Sequence, residues 1–166
     1  MVANIIPILK KNEKIRVCID FRDLNIAYPK DEFSLPITDI MIDNTCDFER
    51  MSFMDGFSGY NQIKLYPDDK KHTSIRAALS VFFYMVMPFD LKNAGDTYQR
   101  AMSTIFRDHL RKTVECYANE IAIKSRNKNN HLHDLRIMFD LMRAHQLKMN
   151  RQSLSWEFQE ASSWGL

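Results

Sequence analysis

The sequence predicts an α+β fold in which a mostly antiparallel sheet carries helices on one face. Three observations support that expectation. Residues 15–22 alternate apolar and polar with period two, and residues 98–110 and 132–142 repeat apolar side chains at helical spacing. The elements also run strands, helix, strands, helix, hairpin, helix, without the strict alternation of a parallel sheet.

Taken in order, Ile15, Val17, Ile19 and Phe21 form the apolar set of a strand, and Arg16, Cys18, Asp20 and Arg22 share its polar face. Ahead of it, Lys10, Lys11, Asn12, Glu13 and Lys14 separate two apolar runs, as a positively charged hairpin turn would. Pro29 and Pro36 follow, the second placed to open a helix from Ile37 to about Asp43. Met51 to Asp55 reads as a buried strand ending at Asp55, where Gly56 and Gly59 mark a sharp change of direction. Thr73–Ala77 and Val81–Val86 read as strands, the second too uniformly apolar to have a wet face.

Tyr98, Ala101, Met102, Ile105, Phe106 and Leu110 then mark an amphipathic helix ending near His109 to Arg111. Val114–Tyr117 and Ile121–Ile123 flank the tetrapeptide Tyr117, Ala118, Asn119, Glu120 as a tight hairpin. Leu132, Leu135, Met138, Phe139 and Met142 line a last helix, with Asn130 as its cap. An aspartate at a strand end facing a hairpin tip is a plausible metal site, although such residues are more often caps.

Composition narrows the function. A chain of 166 residues, 45% hydrophobic and poor in Gly and Pro, suffices for one compact domain of one or two lobes, without repeats or low-complexity tracts. The net charge is +2, so any basic binding surface is local. Cys18, Cys46 and Cys116 form no CxxC pair and read as reduced thiols. His131 and His133, two apart on a helix, diverge and make poor zinc ligands. The start lacks the order of a secretory signal and no apolar run reaches membrane length, so a soluble intracellular protein without a membrane partner is expected. No GxSxG, HExxH or P-loop pattern supports a hydrolase or nucleotidase.

Five strings occur in one order with sensible gaps: KKNEKIRVCIDFRDLN, SFMDGFSGYNQI, MPFDLKNAGDTYQRAM, VECYANEIAIKS and QLKMN. From about Ala3 to Asn150 the chain thereby resembles the reverse transcriptases of gypsy-like LTR retrotransposons, part of a pol polyprotein. That resemblance implies a right-hand polymerase: fingers at about 1–29 and 63–93, palm at 30–62 and 94–166, in a cytoplasmic enzyme. It implies RNA-directed DNA polymerisation on an RNA or DNA template-primer with dNTPs, through two Mg2+ ions that neutralise charge on the attacking and leaving oxygens.

By the same resemblance Asp55 is the first palm aspartate and a metal ligand, and Asn119 and Glu120 stand where two further aspartates belong. Tyr60 matches the residue that rejects a ribose 2′-hydroxyl. Arg16 matches the fingers arginine that meets base and α-phosphate, and Lys10 or Lys11 the lysine that reaches the triphosphate. Phe89 takes a position lining the nucleotide pocket. Lys92, Asn93 and Gln99 belong to the motif supporting the template side, and Tyr117 opens the hairpin motif. Lys124, Arg126 and Lys128 are further candidates for phosphate contact, or simply a solvated face.

The departures from the family pattern matter as much. Active relatives read tyrosine, any residue, aspartate, aspartate; here Asn119 removes a charge and Glu120 lengthens an arm. By the same resemblance, Asp90 replaces a glycine in a loop that lies close to the nucleotide, where a carboxylate adds bulk and repels the triphosphate, and Asp96 replaces an alanine near a helix start, where an acid is tolerable. RQSLSWEFQEASSWGL matches the strand leading to the thumb poorly, and no thumb is expected in this chain. The expectation is a reverse transcriptase fragment that is inactive or strongly impaired; the alternatives are a non-catalytic nucleic-acid-binding remnant and a chain with no biochemical role.

Overall fold

The computed structural model describes residues 2–11, 13–151, 153 and 155–158. Asn12 of the expected basic turn and the tail beyond Phe158 lie outside the described residues. The chain divides into two compact units, Met1–Glu32 with Tyr60–Gly95, and Phe33–Gly59 with Asp96–Leu166.

In the first unit, β1 (Asn4–Leu9) and β2 (Ile15–Asp20) form an antiparallel hairpin in which Leu9 pairs with Ile15, Pro7 with Val17 and Ile5 with Ile19. The polar run becomes the turn, closed by Lys10 N–H donating to the Lys14 carbonyl at 2.9 Å. The period-two reading of β2 holds to Asp20. Arg22 instead opens a short helix, α1 (Arg22–Ala27), and its guanidinium folds back onto the Asp20 carboxylate at 2.6 Å. That fork holds Asp20 well below the usual carboxylate range, at about 2. The apolar face of β2 is not buried as its pattern suggested, since Ile15 and Val17 are 69% and 63% exposed. A two-stranded sheet supplies no layer of its own to cover that face.

β4 (Ile75–Arg76) and β5 (Val81–Phe82) are far shorter than expected, and Val81, Phe82, Phe83 and Met85 are exposed. The ladder stops because the following backbone bonds elsewhere. Tyr84 N–H donates to the Thr73 hydroxyl, Leu65 N–H to the Met85 carbonyl, and Met87 N–H to the Ile63 carbonyl. Phe21 anchors the core, fully buried, with Tyr84 edge-on to its ring at 6.3 Å.

The second unit holds the principal sheet. After α2 (Thr38–Asp43) come β3 (Arg50–Asp55), β6 (Val114–Tyr117), β7 (Glu120–Ser125) and β8 (Ser155–Phe158), all antiparallel in the order β6, β7, β3, β8. β8 forms although its sequence departs from the family pattern, because strand addition uses main-chain groups that carry no side-chain code. α4 (His131–Ala144) packs on β7. Asn130 stands at the N-cap position of α4 as expected, yet its side chain makes no capping bond; Asn127, three residues earlier, accepts from Asn129 N–H instead. α3 spans Ala94–Ile105, starting earlier and ending sooner than the apolar pattern indicated, since residues 106–109 turn away from the helix. Its Tyr98 and Met102, together with Phe106, are buried with Ile121, Ile123, Leu135, Met138 and Met142. Each fully buried side chain of this kind is worth roughly 1.5–3 kcal/mol.

Candidate active site

β3 ends at Asp55, and the antiparallel register sets it directly opposite Glu120, the first residue of β7. Directly opposed residues project from the same face, so these two carboxylates are cross-strand neighbours. The turn between β6 and β7 consists of Ala118 and Asn119, flanked by the pair Tyr117 and Glu120. Its main chain is tied to the Asp55 strand end, for Gly56 N–H donates to the Asn119 carbonyl at 3.0 Å. Asn150 N–H in turn donates to the Asp55 carbonyl at 2.8 Å. The sequence therefore brings Asp55, Asn119 and Glu120 to one end of one sheet.

Gly56 and Gly59 serve a purpose other than the sharp bend expected of them, because neither has a positive φ. A Cβ on Gly56 would stand 2.8 Å from the Tyr98 hydroxyl. One on Gly59 would stand 3.0 Å from both that hydroxyl and the Asn119 side-chain oxygen. Both glycines are demanded by close approach. The bend itself uses Ser58, at φ 48°.

Gln99, on α3, is buried; its Nε2 donates to the Cys116 carbonyl and its Oε1 accepts from Ala118 N–H, each at 2.9 Å. Tyr117 remains half exposed at the turn.

In the first unit, Tyr60 and Phe89 meet edge to face, with ring centroids 5.4 Å apart. Lys10, Lys11 and Arg16 lie exposed on the β1–β2 hairpin, Arg16 opposite Ile8. Lys92 and Asn93 make local bonds: Lys92 Nζ donates to the Tyr28 carbonyl at 3.0 Å, and Asn93 Nδ2 to the Pro29 carbonyl at 2.9 Å.

A family model described as reverse transcriptase (RNA-dependent DNA polymerase) matches residues 8–156. The chain belongs to the reverse transcriptase family. It is 28% identical over 152 residues, 92% of its length, to the retrovirus-related Pol polyprotein from transposon 297 of Drosophila melanogaster. It is 30% identical over 121 residues, 73% of its length, to that from transposon gypsy of the same organism. The chain spans only 14% and 12% of those two relatives. Among solved structures, the foamy viral protease-reverse transcriptase in complex with ds DNA matches 93% of this chain and 27% of its own, with a TM-score of 0.81 at 15% identity, which supports the fold. These comparisons identify a retrotransposon-type reverse transcriptase domain.

The magnesium pair implied by the family finds a poor donor set here. Magnesium wants hard, charged oxygen ligands in near-octahedral geometry. Asp55 and Glu120 supply two carboxylates, but the third position is a carboxamide without charge, and its Oδ1 is buried against Gly59 with no hydrogen-bond partner. Among the described residues no group of three His, Cys, Asp or Glu side chains comes together as a metal site. The residues present do not fit a two-magnesium centre.

Several residues that shape the reverse transcriptase domain have partners that the sequence did not indicate. Lys124, a candidate for phosphate contact, is fully buried: its ammonium lies 2.7 Å from Glu115, 2.6 Å from the Asn44 carbonyl, and 4.3 Å above the Phe48 ring. It is spent on the core. Arg126, also over Phe48, and Lys128 remain exposed. His131 and His133 do diverge, His133 to the surface and His131 into a buried network with Ser52, Ser125 and Asp134. Burial pushes the Cys116 thiol up, so it is inert. A polar residue among apolar ones on a helix face was the available signal for Gln99; nothing signalled the pairing of Glu115 with Lys124. No described helix is long and apolar enough to cross a membrane.

Proposed function

We propose that this chain is the fingers and palm of a retrotransposon reverse transcriptase whose RNA-directed DNA polymerisation is strongly impaired. The first unit is the fingers and the second the palm, a reading supported by unit boundaries that differ from the family-based ones by at most three residues. The observation that carries the impairment is the hairpin opposite Asp55. Asn119 contributes neither charge nor an accessible oxygen there, and Glu120 presents its carboxylate on a longer arm than an aspartate would.

Losing a ligand worth several kcal/mol of transition-state stabilisation slows extension on the order of a thousandfold, at about 1.36 kcal/mol per factor of ten. In the roles that follow from the family, Asp55 is the remaining metal ligand. Tyr60 packs under the nucleotide sugar and Phe89 lines the nucleotide pocket, a reading that their ring contact supports. Arg16 meets the base and α-phosphate, Lys10 or Lys11 reaches the triphosphate, and template-primer and dNTP are the partners.

The test is primer extension on an RNA template with magnesium and then manganese, comparing the chain with its double reversion Asn119→Asp/Glu120→Asp. Extension should be near background for the chain and recover in the reversion. Robust extension by the unmodified chain would overturn the impairment. A second reading, a non-catalytic nucleic-acid-binding remnant, is favoured by the exposed lysines of the β1–β2 turn. It would be supported if the reverted chain bound template-primer tightly and still failed to extend.

A further inference from the structure

The sheet order leaves β6 at an edge, so among the described residues no strand pairs with the backbone groups on its outer side. Gln99 takes that place over one residue. Its single carboxamide donates to the Cys116 carbonyl and accepts from Ala118 N–H, bridging Tyr117, while the residue itself is only 1% exposed. Ala118 sits at φ 48°, a left-handed conformation that a residue with a Cβ adopts only when its surroundings enforce it. The bond to Gln99 acts at that residue, and Asn119 and Glu120 follow directly from it. A glutamine so engaged commits one N–H and its carbonyl oxygen to the turn, and at this burial presents almost none of its surface to solvent.

We infer that Gln99 is a positioning residue which sets the Tyr117–Glu120 turn, and is not a contact to the template. The positioning stands on geometry alone; its catalytic consequence rests on the polymerase reading above. Two measurements separate the two. Amide hydrogen exchange by NMR reads the positioning: Gln99→Met, close in size but without either bond, should speed exchange at Ala118 about tenfold, with Ile121 and Ile123 little changed. A folded Gln99→Met protein with unaltered Ala118 exchange would overturn the inference. If that variant does not fold, Gln99→Glu decides, because its carboxylate still accepts from Ala118 N–H although it cannot donate to Cys116. Ala118 should then stay protected, and loss of its protection counts against the clamp.

The second measurement uses the Asn119→Asp/Glu120→Asp chain. Adding Gln99→Met should lower kcat for primer extension at least tenfold with the KM for template-primer held, because only the turn is displaced. A raised KM at constant kcat would identify a template contact instead and sink the inference. Should the reverted chain show no extension at all, the polymerase reading fails, and the exchange result decides the positioning by itself.

Discussion

Asp90 occupies φ 71°, a left-handed conformation that favours glycine and in which a side chain costs roughly 1 kcal/mol. The conformation persists because Asn25 braces it from both sides. Its Nδ2 donates to the Asp90 carbonyl and its Oδ1 accepts from Lys92 N–H, each at 2.8 Å. The loop therefore keeps a glycine-shaped backbone around a residue that is not glycine. Asp90→Gly is expected to raise stability by about 1 kcal/mol, less the conformational entropy that glycine adds to the unfolded chain. Urea denaturation checks it, and a midpoint that falls would show that the Asp90 side chain contributes more than the strain it causes. The sequence flagged Asp90 as a departure for its bulk and charge near a nucleotide. The backbone angle, which no residue pattern states, is the more direct reason.

The elements of the second unit are joined by buried polar side chains, and these were the least legible part of the sequence. Periodicity located α3 and α4 because an apolar stripe repeats in the chain. It could not reveal that Lys124 and His131 turn inward, since that depends on partners supplied by other elements. Lys124, on β7, is neutralised by Glu115, on β6. Lys124→Met alone strands a buried carboxylate and should cost about 3–5 kcal/mol, whereas Lys124→Met with Glu115→Leu should come close to the unmodified stability. Thermal unfolding of the single and double variants checks this, and equal destabilisation by both would refute the pairing.

His131 links α4 to β3 and β7. Ser125 spends its proton on Asp134, so it accepts from His131 Nδ1–H, and Ser52 donates to the bare Nε2 at 2.7 Å. Burial, then the positive charge of Arg50, depress its pKa below the ordinary 6.5, and Asp134 offsets this only in part. The unfolded chain therefore takes up the proton first. Stability from this site is complete above about pH 6.5 and is lost as the pH falls through that value towards the lower folded one. Melting curves at pH 7.5 and 5.5 should show a drop that is smaller in His131→Gln; an identical drop in both proteins would assign the acid sensitivity elsewhere.

For the whole molecule, family membership was legible from five motifs in register because the polymerase chemistry fixes residue types along the chain. Strand lengths in the first unit were not, because Thr73 and the 63–65 segment claim backbone groups that the apolar run Val81–Val86 seemed to reserve for a ladder. Charge gives the last test at this scale. A net charge of +2 spread evenly over 166 residues would bind nucleic acid weakly, so binding must come from local concentrations such as the turn bearing the exposed Lys10 and Lys11. Each phosphate neutralised by a lysine on duplex DNA contributes about 0.9 to the slope of log affinity against log salt. On the second, nucleic-acid-binding reading, in which Lys10 and Lys11 both meet template-primer phosphates rather than the dNTP, Lys10→Ala/Lys11→Ala should flatten that slope by roughly 1.8 and weaken binding most at low salt. Fluorescence anisotropy with a labelled template-primer, titrated at several salt concentrations without dNTP, reads the effect independently of catalysis. A double variant with the original slope would remove this turn from the binding surface and leave the exposed Arg126 and Lys128 of the second unit as the next candidates.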